Sequence, residues 1–518
     1  MSDRYDVAII GGGHNGLTAA AYLAQAGKRV IVLEKLDHVG GAAVSADAFD
    51  GIDARLSRYS YLVSLLPKRI IGDLGLDISL IRRRYSSYTP VPGSDKGLLV
   101  DASDASVTAD SFASIGATAD AAAWSRFYAG TGELARSLFP TVTEPLLTRS
   151  EARRSLGNDA LWNDLIEQPV GRVVEREFSH DVVRGVVLTD ALIGTFAPNI
   201  DETLAANKCF VYHVIGNETG DWDVPVGGMG AVTGELYSAA RRAGAEIVTG
   251  ATVTALSPEG DVAYERSGTA RTLGAEVILA NVAPAVLERL LGENDPRPAP
   301  EGAQVKVNLL LSRLPRLRDS SVPAKAAFGG TFHINETWSQ LQSSFNTADA
   351  GAVPDPLPCE IYCHSLSDGS ILSPELQTSG AHTITVFGLH VPDRLATEQN
   401  NDDLRATLER AAIASLDSVL AEPVEDLLLA DASGRPTIEA KTTLDLEHAL
   451  GMPGGNIFHG PLSWPFAEDD AELGTAAERW GVATRYPRIL LCGSGAQRGG
   501  AVSGIGGHNA AMAVLEAG

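Results

Sequence analysis

Cysteine is scarce in this chain. Cys209, Cys359, Cys363 and Cys492 are the four in 518 residues. None forms a C-x-x-C pair, which removes the usual dithiol redox motif. Cys359 and Cys363 bracket a strand-like stretch, Cys-Glu-Ile-Tyr-Cys, and read as two buried small side chains on one face; a metal or disulfide role is the lesser alternative. Positive charge is also short: Lys+Arg number 41 against Asp+Glu 65, a formal net charge of −24. A nucleic-acid partner, which needs a basic footprint, is therefore not expected. Long apolar runs are missing, and none approaches the roughly 18 residues needed to cross a bilayer. The start, Met1 to Asp6, holds two acids and no basic segment leading into an apolar core, so no secretory leader is expected. These absences together predict a soluble cytoplasmic protein.

Glycine is plentiful, at 53 residues, about one in ten against a usual ~7%. Close approaches to backbone are the natural use of such an excess. At roughly 150 residues per domain, the length suggests about two to four domains. No internal repeat or low-complexity tract stands out.

Tyr5 to Ile10 is a short apolar run suited to a buried parallel strand. Gly11-Gly12-Gly13-His14-Asn15-Gly16 follows, then a helical pattern from Leu17 to Ala26 that Gly27 ends. Arg29 to Leu33 is a second strand, closing at Glu34. This is a βαβ unit. Helices are predicted over 121–138, 151–167, 170–178 and 204–214. A second α/β stretch begins near Val224, with a helix over 228–243 and strands at 246–248, 253–256, 262–265, 270–273 and 276–280. Ser267-Gly268 marks a hairpin turn. Strands recur at 306–311, 360–365 and 383–390, with a long helix over 402–420. The chain closes on a strand at 488–492, a glycine-rich turn and a helix over 503–516. The pattern predicts an α/β protein. One nucleotide-binding domain is assembled from 1–75, 221–300 and 431–518, and an α+β domain of mixed sheet plus helices is inserted as 76–220 and 301–430.

Gly11-x-Gly13-x-x-Gly16 follows a strand and opens a helix, the context that makes this pattern a dinucleotide signature. The first glycine makes the tight turn, the second lets a pyrophosphate approach, and the third lets helix and strand pack closely. Free N–H groups and the positive end of the helix dipole face the phosphates. Glu34 is placed to accept hydrogen bonds from both ribose hydroxyls and would repel a 2′-phosphate. His14 and Asn15 read as polar loop residues. Six residues beyond Glu34 comes a second glycine pair, Gly40-Gly41-Ala42-Ala43-Val44-Ser45. At the far end, Cys492-Gly493-Ser494-Gly495 follows a strand and Gly499-Gly500-Ala501-Val502 precedes the last helix. A long dinucleotide touched from both chain ends suits FAD better than NAD.

These stretches carry a resemblance, together with Ser60 to Leu66, Pro225-Val226-Gly227-Gly228-Met229, Gly454 to Gly460 and the C-terminal Leu491 to Ala511. The chain resembles the phytoene desaturase-related group of FAD-dependent oxidoreductases. Within it, the chain is most similar to the pyridine nucleotide-disulfide oxidoreductase domain-containing protein branch, over nearly its whole length. The resemblance implies a Rossmann-like FAD-binding domain with an inserted substrate domain. It implies FAD contacts at Gly11, Gly13, Gly16, Glu34 with the adjoining Lys35, Gly41, Ala42, Ser45, Val253, Gly493, Gly500, Ala501 and Val502. The chain departs from the family in having Ala42 where desaturases carry Arg. It also reads Ala496 to Ala501 where relatives have Thr-His-Pro-Gly-Gly-Gly, so a carotenoid substrate is not implied.

Dehydrogenation by a flavin needs a C–H bond aimed at N5 of the ring, and most of the chemistry belongs to the cofactor. His459, a polar residue after an apolar run, is a candidate proton acceptor or orienting group, with a structural histidine beside a turn as the alternative. Arg498 could balance reduced-flavin charge or bind an anionic substrate, or be a solvated loop residue. Tyr59 and Tyr61 are candidates to line the substrate channel, and His508 reads as structural. No metal site and no Ser-His-Asp elbow are expected. The stretch from Tyr61 to Arg84 combines apolar residues with Lys68, Arg69, Arg82, Arg83 and Arg84, suiting peripheral contact with anionic lipid or an ordinary core face. The expected partners are a small organic substrate, apolar or weakly polar, and an electron acceptor such as oxygen or a quinone. Amine oxidation, a non-redox isomerisation using reduced FAD, and a binding role for a flavoprotein are the rival readings.

Overall fold

A computed structural model describes residues 4–293 and 300–518. The first residues of the acidic start lie outside it. The expected α/β architecture is present, with Rossmann-like βαβ units joined to a second, mixed sheet.

The amino-terminal strand, Arg4–Ile10, is apolar and buried on both faces from Val7 onward. It sits at the centre of a parallel arrangement, as strands covered on both sides do. Val30–Leu33 pairs with it on one side and the end of Thr269–Ala280 on the other. Glu246–Val248 and Ile489–Leu491 extend the parallel run at either end. The strands Ala251–Leu256, Asp261–Arg266 and Thr269–Ala280 form an antiparallel meander on this sheet. The Ser267-Gly268 hairpin is real, with both residues at positive φ. The two strands expected over 270–273 and 276–280 are one continuous strand, because its first half pairs with the meander and its second half with the core sheet.

The first helix, His14–Gln25, is buried along almost its whole length and rich in alanine. It packs between the last helix, Ile505–Ala517, and Met229–Arg242. Small side chains let these helices approach closely; a Cβ on Gly507 would fall 1.9 Å from the Asn15 carbonyl oxygen.

The second sheet runs in the order Ile438–Lys441, Val305–Leu311, His382–Gly388, Cys359–Tyr362, Thr331–Ile334, Tyr85–Pro90, Gly97–Asp101. Its pairs are antiparallel except for Thr331–Ile334 beside Tyr85–Pro90. The segment Ile438–Lys441 thus joins the edge of this sheet. Helices Thr118–Leu138, Arg149–Leu156, Val170–Glu177, Asp181–Thr189 and Ala205–Val214 share an apolar core that includes Trp162, Phe112 and Phe210. Burying each such large side chain contributes roughly 1.5–3 kcal/mol. The single helix expected over 151–167 is broken. Gly157 takes a left-handed C-terminal conformation, and the Asn158 side chain caps a new turn by accepting from the Leu161 N–H.

All four cysteines are buried and free. Among the described residues, no helix is long and apolar enough to cross a membrane. Several basic residues of 61–84 are held in ion pairs or turned inward. Arg69, Arg82 and Arg84 are bound to Glu144, to Asp221 and Asp223, and to Asp101, and Arg83 is turned inward. Nearby carboxylates thus pair with Arg69, Arg82 and Arg84.

Candidate functional site

A cavity of about 780 Å³ takes its walls from both sheets. That volume lies within the range of ligand pockets, about 300–1,000 Å³. One part is built by the first βαβ unit. Gly11, Gly13, His14, Glu34, Lys35, Gly41, Ala42 and Val253 line it, and Ala501 and Val502 from the carboxy-terminal turn join them. Tyr59, Tyr61 and His459 also line the cavity.

The glycine turn has a steric basis. Gly11 has φ of +102°, and a Cβ there would fall 2.6 Å from the Asn281 carbonyl oxygen. A Cβ on Gly16 would fall 2.3 Å from the Gly11 carbonyl oxygen. Gly16 therefore does not face the cavity; it sets the packing that holds Gly11 and Gly13 there. The Asn281 amide donates to the Gly11 carbonyl oxygen at 2.8 Å and locks the turn. The first helix begins without a side-chain cap and without an acid in its first turn. Its leading N–H groups are thus left for a ligand rather than for the chain. The Glu34 carboxylate accepts from the Gly12 N–H at 2.7 Å and the Leu36 N–H at 2.9 Å, which fixes its position on the wall. These features fit the adenosine and diphosphate portion of FAD.

Several expected contacts are structural in placement. The Ser45 hydroxyl accepts from the Gly230 N–H at 2.9 Å. Gly493 packs on Asn281, and a Cβ on Gly500 would fall 2.6 Å from the Tyr212 hydroxyl. Arg498 does not line the cavity. Its guanidinium is buried and donates to the carbonyl oxygens of Thr141, Glu144 and Trp480. Burial holds it down at about 9. The expectation that Arg498 meets flavin or an anionic substrate is corrected: its guanidinium lies outside this cavity, and three of its N–H groups go to backbone carbonyl oxygens, clamping the carboxy-terminal turn, while Nε has no partner among the described residues.

The other part of the cavity is aromatic and polar. The rings of Tyr61 and Tyr362 lie 4.4 Å apart, tilted by 40°. Lys306 is buried, donates to the Ser57 and Tyr59 carbonyl oxygens at 2.9 and 2.6 Å, and lies 4.8 Å over the Tyr61 ring. Burial pulls its ammonium well below the ordinary lysine range. His459 has φ of +63°, and its Nδ1 is buried with no partner among the described residues. Burial lowers it to about 4, so it is neutral near pH 7. His14 and His213 are lowered to about 4 by the same cause.

The sequence reading missed a polar group on this wall, comprising the half-buried Arg83 and Asp190 and the buried His333, Glu360 and Tyr362. The Tyr362 hydroxyl donates to Glu360. Burial pushes Glu360 up to about 8 and Asp190 to about 6. Glu360 and Tyr362 share one strand, while Arg83, Asp190 and His333 come from other parts of the chain, and the alternation of a strand does not by itself say that an acid within it faces a cavity. Glu360 between Cys359 and Ile361, in a run otherwise free of charge, was the available signal.

Residues 9–68 match the family described as the NAD(P)-binding Rossmann-like domain. An uncharacterised protein of Mycobacterium tuberculosis, Rv0897c, is 54% identical over 99% of this chain and 98% of its own length. Pyridine nucleotide-disulfide oxidoreductase domain-containing protein 2 of Rattus norvegicus is 29% identical over 99% of this chain and 94% of that protein. Among solved structures, a putrescine oxidase variant superimposes with a TM-score of 0.57 at 16% identity, covering 100% of this chain and 98% of that one. Cyclohexylamine oxidase from Brevibacterium oxydans gives 0.55 at 15% identity, covering 99% of each. These two likenesses are of fold.

Proposed function

The chain belongs to the family of the Mycobacterium tuberculosis protein Rv0897c, and we propose that it is an FAD-dependent oxidoreductase that dehydrogenates an apolar or weakly polar organic substrate. The observation that carries this reading is one cavity shared by Gly13, Glu34, Tyr61, His459 and Ala501. The oxidoreductase names of relatives agree with it.

Glu34 would hold the ribose, the turn at Gly11 and Gly13 the diphosphate, Val253 the adenine, and Ala501 and Val502 the flavin end. FAD, when bound, supplies a hydride acceptor. The chain's residues do the rest. Tyr61 and Tyr362 present flat apolar faces that position a substrate and exclude water. Lys306 fixes the backbone of Ser57 and Tyr59 beneath them. His459, neutral and with Nδ1 free, is available to accept a proton. Reoxidation is assigned to oxygen or a quinone.

Amine oxidation is a second reading, favoured by the Tyr61–Tyr362 pair and by the shared fold with two amine oxidases. A neutral amine suits such an aromatic wall. Purified protein is expected to carry FAD, identified by absorbance and mass. An anaerobic screen for compounds that bleach the oxidised flavin then selects between substrates. Bleaching by amines with peroxide release favours the second reading, and a product of unchanged mass would point to isomerisation. Protein that neither contains nor binds FAD would overturn both.

A further inference from the structure

His333 and Glu360 face each other across the antiparallel pair formed by Thr331–Ile334 and Cys359–Tyr362. Glu336 follows the first of these strands, past Asn335 at positive φ. Its backbone is pressed against Gly185 of the helix Asp181–Thr189, which ends at Asp190. Three elements therefore converge on one point of the cavity wall. His333 Nδ1 lies 2.6 Å from a Glu336 oxygen and 3.8 Å from a Glu360 oxygen. One ligand atom from each of the three falls within 4.8 Å of the others, and all three residues are buried.

Glu336, Glu360 and Asp190 bring three carboxyl groups together. Arg83 stands near them, its guanidinium donating to the Trp222 carbonyl oxygen and the Thr331 hydroxyl. Glu336 is 1% exposed, and its Oε1 has no hydrogen-bond partner among the described residues. Buried carboxylates are ordinarily paired or coordinate a metal. An unpartnered buried oxygen beside an imidazole and a second carboxylate leaves a ligand to be supplied.

We propose that His333, Glu336 and Glu360 form a binding site for a divalent transition-metal ion on the cavity wall, with open positions toward an oxygen-bearing ligand. One imidazole nitrogen and two carboxylate oxygens suit Mn²⁺, Fe²⁺ or Zn²⁺. Neighbouring ligands of an ion bound at about 2.1 Å are separated by ~3 Å, which small side-chain shifts would reach from the present distances. The ion would replace the proton between His333 and Glu336. Because His333 and Glu360 line the cavity, coordination positions not taken by protein would face it. This site is independent of the flavin reading, since none of its ligands belongs to the proposed FAD contacts.

The test uses the full chain with the cofactor it carries, freed of metal by a chelator and dialysis. Titration with Mn²⁺, followed by electron paramagnetic resonance with Zn²⁺ as competitor, should show one site per chain. His333→Ala and Glu360→Gln should weaken Mn²⁺ at least ~10-fold, with flavin content unchanged. Pulsed resonance on the wild-type protein should show a histidine nitrogen coupled to Mn²⁺, a readout that does not depend on either variant folding. Failure of both ions to bind stoichiometrically, unchanged affinity in folded variants, or bound Mn²⁺ without nitrogen coupling would each overturn the proposal. The cluster would then be an acid–imidazole pair sharing a proton.

Discussion

His14 Nε2 lies 2.8 Å from the carbonyl oxygen of Ala501, 487 residues further along the chain. A carbonyl can only accept, so the ring donates through Nε2–H. This bond ties the start of the first helix to the carboxy-terminal turn, and both residues line the cavity. The two chain ends therefore share one wall.

That tie sets the first expectation. His14→Ala leaves the Ala501 carbonyl without its partner, at a cost of about 1–3 kcal/mol. Thermal unfolding should shift down, and FAD retention should weaken in the same variant. Unchanged melting and full flavin occupancy would remove His14 from the account.

Arg498 makes a contrasting case. Replacing it by Met removes the arginine's donors from the carbonyl oxygens of Thr141, Glu144 and the buried Trp480, of which Thr141 keeps the Glu144 N–H. A loss of at least about 1–3 kcal/mol is expected, while the rate of flavin reduction by an identified substrate stays within about twofold in protein that remains folded. A large rate loss without destabilisation would restore Arg498 to the reacting centre.

His459 should behave the other way. His459→Asn keeps a residue that tolerates the left-handed backbone and removes the imidazole. General-base groups typically contribute about 10²–10⁴-fold, so stopped-flow reduction of the flavin should slow by about 100-fold at unchanged FAD content. Equal rates would return His459 to a structural role.

The buried neutral histidines predict an acid-side loss of stability. His213, with Nδ1–H donating to the Cys209 carbonyl oxygen at 2.8 Å, has its ordinary value of 6.5 lowered to about 4 by burial. Between those values the unfolded chain binds a proton that the folded chain does not. Its contribution is full above about 6.5 and is lost as pH falls toward 4, by up to about 1.4 kcal/mol per pH unit. His213→Gln should flatten that part of the profile of melting temperature against pH. An identical slope in the variant would contradict the assignment.

Much of the fold was legible because it rests on local rules. The βαβ unit at 4–34, the Ser267-Gly268 hairpin and the last strand and helix appear close to where periodicity and glycine placed them. The helix expected over 151–167 failed because Gly157 and Asn158 end one helix and start the next, a capping signal outweighed by the apolar pattern. Ile438–Lys441 looks like any short strand, and its pairing with Val305–Leu311 could be known only in three dimensions.

By its own order, the sequence determined the nucleotide-binding turn. Gly11, Gly13 and Gly16 stand at a fixed local spacing between strand and helix and Glu34 ends the adjoining strand, so the turn is written in spacing, although Asn281 from far along the chain packs against it. Tertiary structure decided what stands opposite that turn. Arg83, Asp190, Lys306, His333, Glu336 and Glu360 come from separate elements, and each alone is an ordinary polar residue. Their character arises from shared burial and from distances of a few ångströms, quantities set by how the second sheet and its helices pack rather than by any short run of residues.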